Sequence, residues 1–580
     1  MIKKIFHRES NYKFSIKIAC ILFVVLYTIS LLIYPRLGPS DEYQFLPTLQ
    51  SGKSFPIYGA DFPYYDVTAL GRFTPLAIQE YNLVASISNT PLAYLAFNAI
   101  LLLGFIIIFL KILREFSSSN SLNYFAVVLL LFMPAVTNTF FKFLYVEKNV
   151  IFYLSVFLIS FIKFHKQQRI VYSVLALVSA NIAIYYKEIV FLAIFAFSAA
   201  HLFLTWRQNN KKYKVLDLLL MLSSIIYIAI YFAAILPNVS HSYLPSTPQN
   251  KFLSFVKNSF NYGFFSDPII VLIFVPIAFW RIAKIIFQRQ EPHPVIDAMI
   301  AAGSSYVAAF FLLNMYSPYY MLPVYLFALP AIFYFFEQGV FQKVFWKSML
   351  AVAILVLAVN TIPLGIHYIT YNKYVPVNFN KTLDFLIADI NRRYEGHRLN
   401  IFFDGVDRGG GSGVYFITGE FLKFKGLSIR RFDFKSDIEA RETGPFVGRR
   451  SPFDKDADIE AVDPEHTYKY PDFPFEVFQP GPLPQVQSGD YLIVSPHSTK
   501  NVNNEYIEKL KDDYTLIFRT YSPLAFPRIT LKTGLKYLLS KKEYKWGIRG
   551  NKRKLFISPS PNPSHQGRGI YPLEMRKIQK

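Results

Sequence analysis

The stretch LAYLAFNAILLLGFIIIFLKIL, residues 92–113, contains a single charged side chain, Lys111. A helix needs about 20 apolar residues to cross the hydrocarbon core of a bilayer. Because that core offers the backbone no water to hydrogen-bond, helices and closed barrels are the structures that span it. The stretch therefore predicts a membrane-spanning helix. Ten similar runs predict the other spans, at 15–34, 122–140, 150–162, 170–186, 189–206, 216–236, 269–286, 295–316, 320–336 and 348–368.

The composition of the 580 residues fits this count, with 53% hydrophobic and only 17% charged side chains. Such values are typical of membrane proteins. The long apolar runs end near residue 370, and the remainder is polar and punctuated by Pro and Gly. The fold class predicted is a polytopic α-helical membrane protein of about 11 spans with a small C-terminal α/β domain. The predicted divisions are 1–370, 371–548 and a disordered tail, 549–580, whose deletion is expected to leave activity intact.

Basic residues predict the orientation, because cytoplasmic loops are rich in Lys and Arg. Every second connection between the predicted spans is rich in these residues. They are Lys111 and Arg114; Lys163, Lys166 and Arg169; Arg207, Lys211, Lys212 and Lys214; Arg281, Lys284 and Arg289; Lys343 and Lys347. The other connections have fewer cations. We expect a cytoplasmic N-terminus, and loop 35–91 and the C-terminal domain on the periplasmic or extracellular side of a bacterial inner (plasma) membrane. The net charge of +22 thus reflects orientation and anionic headgroups, not nucleic acid.

The first outer loop, 35–91, holds the clearest candidate residues. Asp41 and Glu42 follow the first span by a few positions, where a carboxylate can meet a lipid-linked substrate at the membrane surface. Asp61, Asp66 and Arg72 lie farther along the same loop. The alternative for Asp41 and Glu42 is the solvated start of a loop.

Three further motifs occur at predicted outer ends of spans. Lys187 and Glu188, in YYKE at 185–188, are an ionisable pair between two apolar runs, which is expensive in a membrane and favours a function. The alternative is an interfacial salt bridge. Lys148, in YVEKN at 145–149, is a weaker case, and Tyr319, in YSPYYMLP at 316–323, also suits an aromatic belt.

The order of these features resembles the first outer loop of the GT-C superfamily of membrane glycosyltransferases, including protein mannosyltransferases and lipid A aminoarabinose transferases. The shared features are one N-terminal span, Asp41-Glu42, an SGK turn at 51–53, and a cation before proline. RFTP at 72–75 stands where relatives have Lys-Pro-Pro, so the cation is kept and the second proline is not. The WWDYG signature of oligosaccharyltransferases is absent.

The resemblance implies an inverting hexosyl or pentosyl transferase that moves a sugar from a polyprenyl-phosphate donor to a lipid, glycan or protein acceptor. In that reaction a carboxylate takes the acceptor proton and cations stabilise the leaving phosphate. Asp41 is the expected base, and Glu42 its alternative or a positioning partner. The expected substrate-binding residues are Asp61 and Asp66 for sugar hydroxyls, Arg72 and Lys187 for phosphate, and Lys148, Glu188 and Tyr319. Relatives often have Arg-Tyr at the position of Tyr319, and here the Arg is missing.

Two other readings stay open at this stage. One is a transporter or lipid flippase, which would place ionisable or helix-breaking positions near the bilayer midplane. The other is a non-catalytic scaffold for envelope assembly. No His or Cys cluster predicts a zinc site, whereas a divalent cation such as Mg²⁺ or Mn²⁺ on Asp41 and other loop carboxylates is an open alternative.

The C-terminal part predicts a small, partly parallel sheet. Strands are expected at 399–403, 491–494 and 515–520, and helices at 380–394 and 503–514. In the first helix, Leu383, Leu386 and Ile390 share one face. The glycine-rich run 407–413 lacks the Gly-Lys-Ser/Thr spacing of a P-loop and predicts a flexible loop. The Pro-rich segment 441–484 predicts a long irregular excursion that covers the active site or receives the acceptor.

Overall fold

The computed structural model describes two compact units of this chain, Met1–Ile33 with Ser54–Ile366, and Tyr34–Lys53 with His367–Lys580. The residues described are 2–39, 72–143, 145–208, 210–238, 266–313, 316–393, 399–403, 412–428, 430–436, 476–480, 491–494, 514–522 and 524–526, with the isolated positions 42, 46, 49, 52, 55, 253, 255, 256, 264 and 531. Asp41, Asp61, Asp66, the predicted helix 503–514 and the tail 549–580 lie outside them.

The described part of the first unit is built of helices, the last of which continues past Ile366 into the second unit. Their bounds are α1 Ile2–Leu32, α2 Glu80–Ile87, α3 Pro91–Phe116, α4 Asn120–Leu131, α5 Pro134–Phe141, α6 Glu147–Gln167, α7 Ile170–Tyr186, α8 Val190–Thr205, α9 Lys211–Ile230, α10 Val275–Gln288, α11 Pro294–Leu312, α12 Leu322–Glu337, α13 Val344–Val356 and α14 Ile362–Arg393. Shorter 3₁₀ turns are Trp206–Gln208, Leu236–Asn238, Pro318–Met321 and Val340–Gln342, and π-helical turns are Tyr231–Ile235, Ile269–Phe274 and Leu357–Thr361.

Within the described ranges, eight helices are long and apolar enough to cross a membrane, and a bent pair makes nine. Two shorter apolar helices, Ile16–Leu32 and Ile170–Tyr186, match two other predicted spans. These helices confirm that the chain is an integral membrane protein. The count of eleven, and the side on which each loop lies, stay predictions.

Two predicted spans differ in the structure. The span predicted at 122–140 is broken into α4 and α5, which meet at 60°. Pro134 at the start of α5 has no N–H to continue the helix, so the break falls just before it. No helix end lies at residue 368, where the last span was predicted to end, because an apolar helical segment runs over Val344–Arg392 and includes the helix predicted separately at 380–394.

One close approach within the first unit depends on a glycine. A Cβ added to Gly365 in α14 would lie 1.8 Å from the carbonyl oxygen of Phe132, at the break between α4 and α5. No side chain fits at that distance. The absence of a Cβ is therefore what lets these two backbones meet.

The second unit contains a five-stranded sheet in the order β2-β1-β4-β3-β5. The strands are β1 Leu399–Phe403, β2 Phe432–Ser436, β3 Glu476–Pro480, β4 Tyr491–Val494 and β5 Tyr514–Arg519, and the helix α15 Ser412–Phe424 lies between β1 and β2. Strand β1 pairs parallel to β2 and β4, whereas β3 is antiparallel to β4 and β5.

Parts of this unit were predicted and parts were not. Leu383, Leu386 and Ile390 are all fully buried, as the helical spacing of 380–394 predicts. Strand β3 corrects the reading of 441–484 as wholly irregular, because the described end of that segment pairs on both sides. The last two residues of the run 407–413 begin α15 and are not loop.

Candidate functional site

Ionisable side chains of the first unit converge where several helices begin or end. Helix α7 ends at Tyr186 and α8 begins at Val190, so residues 187–189 form a tight turn, closed by the bond from the N–H of Val190 to the carbonyl of Lys187 at 3.1 Å. The end of the first loop joins this turn through the N–H of Leu76 and the carbonyl of Tyr185 at 3.3 Å. We call the residues gathered here the helix-end cluster: Arg72, Glu80, Glu147, Lys148, Lys187 and Glu188.

Arg72 and Glu188 form the more accessible ion pair of this cluster. The Nε of Arg72 donates to Oε1 of Glu188 at 2.8 Å, and the two side chains are 20% and 23% exposed. Burial opposes ionisation of Glu188, but the charges of Arg72 and Lys187 outweigh it and hold the pKa of Glu188 at about 2. The pair is therefore charged at neutral pH and within reach of a ligand.

Lys187 faces a different carboxylate. Its Nζ lies 3.2 Å from Oε1 of Glu147 and 4.5 Å from the ring centroid of Tyr320. Burial disfavours the ammonium, yet Glu147 and Tyr320 raise the pKa of Lys187 above its ordinary value. The geometry of the contact is that of an ion pair and not of a hydrogen bond, since Glu147 Oε1 has no hydrogen-bond donor among the described residues.

Lys148 is held by backbone carbonyls. Its ammonium donates to the carbonyl oxygens of Phe143 at 2.5 Å and Tyr145 at 2.9 Å, and lies 5.1 Å from the ring centroid of Tyr81. The side chain is completely buried. These bonds fix the turn before α6, and contact of Lys148 with a substrate stays a prediction.

Glu80, at the start of α2, is a member of the cluster that the sequence analysis missed. It accepts hydrogen bonds from Nδ2 of Asn149 at 2.6 Å and from the hydroxyl of Tyr186 at 3.2 Å. Burial raises the pKa of Glu80, against the opposing effect of Lys148. The carboxylate thereby ties the end of the first loop to α6 and α7. The sequence offered one signal for this contact, the polar side chain of Asn149 inside YVEKN, which needs a hydrogen-bond partner.

Tyr319 lies in an aromatic stack beside the cluster. Its ring is stacked on Tyr145 with centroids 4.2 Å apart and meets Tyr320 edge-on at 4.4 Å. Because Tyr320 in turn contacts Lys187, the stack connects the turn before α12 with the cluster. Tyr319 is thus held in place by packing between aromatic rings.

A second carboxylate that the sequence did not single out is Asp267, just before the span that begins at Ile269. It accepts from the hydroxyl of Tyr325 at 2.7 Å and from the hydroxyl of Tyr316. Burial raises the pKa of Asp267 to about 6, although both tyrosine bonds lower it. Because Tyr316 lies two residues before the 3₁₀ turn Pro318–Met321, Asp267 anchors the segment that carries Tyr319.

The structure places the other predicted residues as follows. Glu42 is buried and belongs to the second unit, where a Cβ on Gly38 would lie 3.7 Å from its Oε2 and 3.0 Å from Pro376. Arg72, Lys148, Lys187, Glu188 and Tyr319 belong to the first unit. Asp41, Asp61 and Asp66 lie outside the described residues, and so does the open alternative of a divalent cation on Asp41. Among the described residues, no group of three or more His, Cys, Asp or Glu side chains is arranged to hold a metal ion.

Comparisons with known proteins found a distant structural similarity to describe. No protein-family model and no curated protein matches the chain. A solved structure, ArnT from Cupriavidus metallidurans bound to undecaprenyl phosphate, shares 12% identity at a TM-score of 0.40, covering 72% of this chain and 89% of that chain. At that degree of similarity we base neither the fold nor the function of this chain on it.

Proposed function

We propose that this chain is a membrane glycosyltransferase that moves a sugar from a polyprenyl-phosphate donor to a lipid, glycan or protein acceptor on the outer face of the membrane. The observation that carries the proposal is the pairing of two cations with two carboxylates, Arg72 with Glu188 and Lys187 with Glu147, in one helix-end cluster. Ionisable groups of this kind at a membrane-embedded site are expensive and mark substrate sites by default.

The cluster and the basic loops lie at opposite ends of the same helices. Helix α6 begins at Glu147 and ends at Gln167 beside Lys166, and α7 returns from Ile170 to Tyr186, next to Lys187. If the Lys- and Arg-rich loops are cytoplasmic, the cluster lies at the outer face. That is the face on which the proposal requires the lipid-linked donor.

The proposed reaction is a displacement at the anomeric carbon of the sugar. The acceptor hydroxyl oxygen forms a bond to the anomeric carbon while the bond from that carbon to the phosphate oxygen breaks. The electron pair leaves with the polyprenyl phosphate, and the acceptor proton passes to Asp41 as general base. Arg72, which is part-exposed and presents a planar fork, suits the departing phosphate. Lys187 is nearly buried and adds positive charge to the same place.

The test is sugar transfer by the purified full-length protein in lipid nanodiscs, supplied with radiolabelled polyprenyl-phosphate sugars and membrane extract. Loss of a general base lowers rates by about 10² to 10⁴, so we expect Asp41→Asn to lose transfer by that factor. Arg72→Ala is expected to lose transfer strongly as well. The matched control is Lys166→Ala, a cation at the other helix ends that is paired with Glu115, and it should retain transfer. Equal transfer by Asp41→Asn and wild type rejects Asp41 as the base.

A transporter or lipid flippase is the second candidate, and one observation favours it. His201 of α8 and Asp217 of α9 form an ionisable pair outside the helix-end cluster, since they are fully buried and 2.7 Å apart. Absence of transfer from every lipid donor, together with movement of a fluorescent lipid across proteoliposomes, would replace the proposed enzyme with this candidate.

A further inference from the structure

The chain turns back along helix α14 after the last strand of the second unit. We call the described residues that follow β5 the return segment, which comprises 520–522 and 524–526. Near its start, Nδ2 of Asn378 in α14 donates to the hydroxyl of Ser522. At its end, the N–H of Phe526 donates to Oγ1 of Thr370 at 3.1 Å. The return segment therefore runs antiparallel to α14, toward the part of the helix that holds the predicted span 348–368.

The backbone of Phe526 is hydrogen-bonded on both sides by side chains of α14. Besides the bond to Thr370, Nδ1 of His367 lies 2.8 Å from the carbonyl oxygen of Phe526, and His367 is completely buried. Irregular backbone at membrane depth needs such partners, because the bilayer has no water to supply them. The end of the return segment thus meets the requirement for a chain that enters the membrane surface.

The first span relates the same part of α14 to the membrane surface. The apolar part of α1 is Ile16–Leu32. The loop after it packs on α14, where Nδ2 of Asn380 donates to the carbonyl oxygen of Leu37 at 2.9 Å. Tyr34 is an electrostatic neighbour of the hydroxyl of Tyr374 in α14. Because a span ends near the lipid headgroups, the part of α14 around Tyr374 lies at that level too.

The side chains at this level present an aromatic and apolar surface. Tyr34 is 60% exposed, Tyr521 48% and Leu524 73%. Tyr521 and the backbone of Leu524 also neighbour the hydroxyl of Tyr374, and Arg36 is exposed beside Tyr34 in the chain. We call Tyr34, Arg36, Tyr521 and Leu524 the interfacial patch. Tyrosine is enriched at membrane interfaces, where its ring is in contact with lipid and its hydroxyl with water.

We propose that the interfacial patch binds the headgroup layer of the phospholipid bilayer and anchors the second unit to it. Leu524 enters the boundary of the acyl chains, and the rings of Tyr34 and Tyr521 lie among the headgroups. Arg36 keeps its charge in water and faces the lipid phosphates. The partner is a phospholipid, and contact with it does not depend on sugar transfer.

The bilayer is the expected partner because the patch continues the lipid-facing surface of α1. Seven large apolar side chains of this surface are exposed: Ile18, Ile21, Leu22, Val25, Leu26, Ile29 and Ile33. They lead directly to Tyr34 in the chain. A surface that begins as the lipid contact of a span, and ends in tyrosines and an arginine, has the order of groups found from acyl chains to headgroups.

The test measures the depth of nitroxide labels in the full-length Cys20→Ser protein in nanodiscs of phosphatidylethanolamine and phosphatidylglycerol. Collisions with oxygen, which concentrates in lipid, are compared with collisions with a water-soluble nickel chelate. We expect the label at Leu524→Cys to favour oxygen and to lie about 5 to 10 Å below the phosphates. The label at Tyr521→Cys should be shallower, because an extended chain advances about 3.3 Å per residue toward the membrane.

Two matched positions calibrate the measurement. Leu22→Cys, on the exposed face of α1, is the lipid reference, and Lys423→Cys, at a 46% exposed side chain in α15, is the water reference. The ratio of oxygen to nickel collisions at Leu524→Cys should shift from the Lys423→Cys value toward the Leu22→Cys value. A ratio equal to that of Lys423→Cys means that the patch faces water and overturns the proposal. Low collision rates with both reagents mean that protein covers the patch, and overturn it as well.

Discussion

Asp267 makes a residue-level prediction that does not depend on the reaction. Its pKa is raised to about 6 by burial, so the folded protein binds a proton more tightly there than the unfolded chain does. Stability from this group is full below the unfolded pKa near 4 and is lost as pH rises through 6. Between pH 7.5 and pH 5.0 the wild type should gain about 1 kcal/mol from Asp267. Thermal unfolding in detergent should show a smaller gain for Asp267→Asn, and equal gains would contradict the argument.

The buried pair of Lys187 and Glu147 gives a second prediction at this scale. Removing one partner of a buried ion pair leaves an uncompensated charge and costs about 3 to 5 kcal/mol, whereas replacing both with apolar residues is often neutral. We expect Lys187→Met to lower the free energy of unfolding by several kcal/mol, and the double variant with Glu147→Met to recover most of it. An SDS unfolding series measures both. Failure of the double variant to recover would show that the two side chains are not coupled.

The matched control for that experiment is Glu188→Gln. Its partner Arg72 is part-exposed, and ion pairs near solvent contribute about 0 to 1 kcal/mol. This variant should therefore unfold almost as the wild type does. A large loss of stability in Glu188→Gln would mean that the exposed pair, and not the buried one, holds the cluster.

In the motif YYKE, the sequence identified the ionisable residues but not the partners of their side chains. Lys187 and Glu188 were predicted as one ionisable pair, yet their side chains bond to Glu147 and Arg72. Adjacent residues point in different directions, and each finds a partner from a distant segment. Glu80, Asp217 and Asp267 were missed for the same reason. Their partners, Asn149, His201 and Tyr325, are supplied only by the packing of helices.

At the scale of elements, α14 requires a residue without a Cβ at position 365. A methyl group there would overlap the carbonyl oxygen of Phe132, which is backbone and cannot rotate away. Gly365→Ala should therefore lower the free energy of unfolding by about 1 to 3 kcal/mol or more, the cost typical of overpacking. The thermal unfolding midpoint should fall with it. Gly104→Ala is the control, since its Cβ would meet only the ring of Phe152. The ring can shift, so a larger loss in Gly104→Ala would contradict the comparison.

Helix boundaries were the least predictable elements. Apolar length alone identifies a span, but the break near Pro134 divides one predicted span in two. In the opposite sense, Pro376 lies inside α14 without ending it. The difference is that the N–H lost at Pro134 falls at the first turn of α5, where no helical partner is due. Sequence shows a proline in both cases, and the surrounding packing decides its effect.

At the scale of the whole molecule, the long apolar runs predicted the membrane class because a bilayer requires long apolar helices whatever their packing. The sheet of the second unit was less accessible. Strands β2 and β3 are five residues each and pair with strands distant in sequence. The local sequence therefore does not predict them. Pairings of this kind depend on the neighbours in the sheet more than on intrinsic propensity.

Orientation is the whole-molecule prediction on which the proposed function rests. The only cysteine, Cys20, is buried, so Cys20→Ser provides a background for single-cysteine labelling. Asn89→Cys and Lys212→Cys introduce thiols at exposed positions. Because Lys212 lies in a basic connection and Asn89 ends the first loop, an impermeant maleimide should label Asn89→Cys from outside intact spheroplasts. It should label Lys212→Cys only after lysis.

Labelling in the reverse pattern would place the helix-end cluster at the cytoplasmic face, since α6 and α7 each cross between the cluster and the basic loops. A donor carried on the outer leaflet then has no access to Arg72 and Lys187. The same two labelling results therefore decide which compartment supplies the sugar.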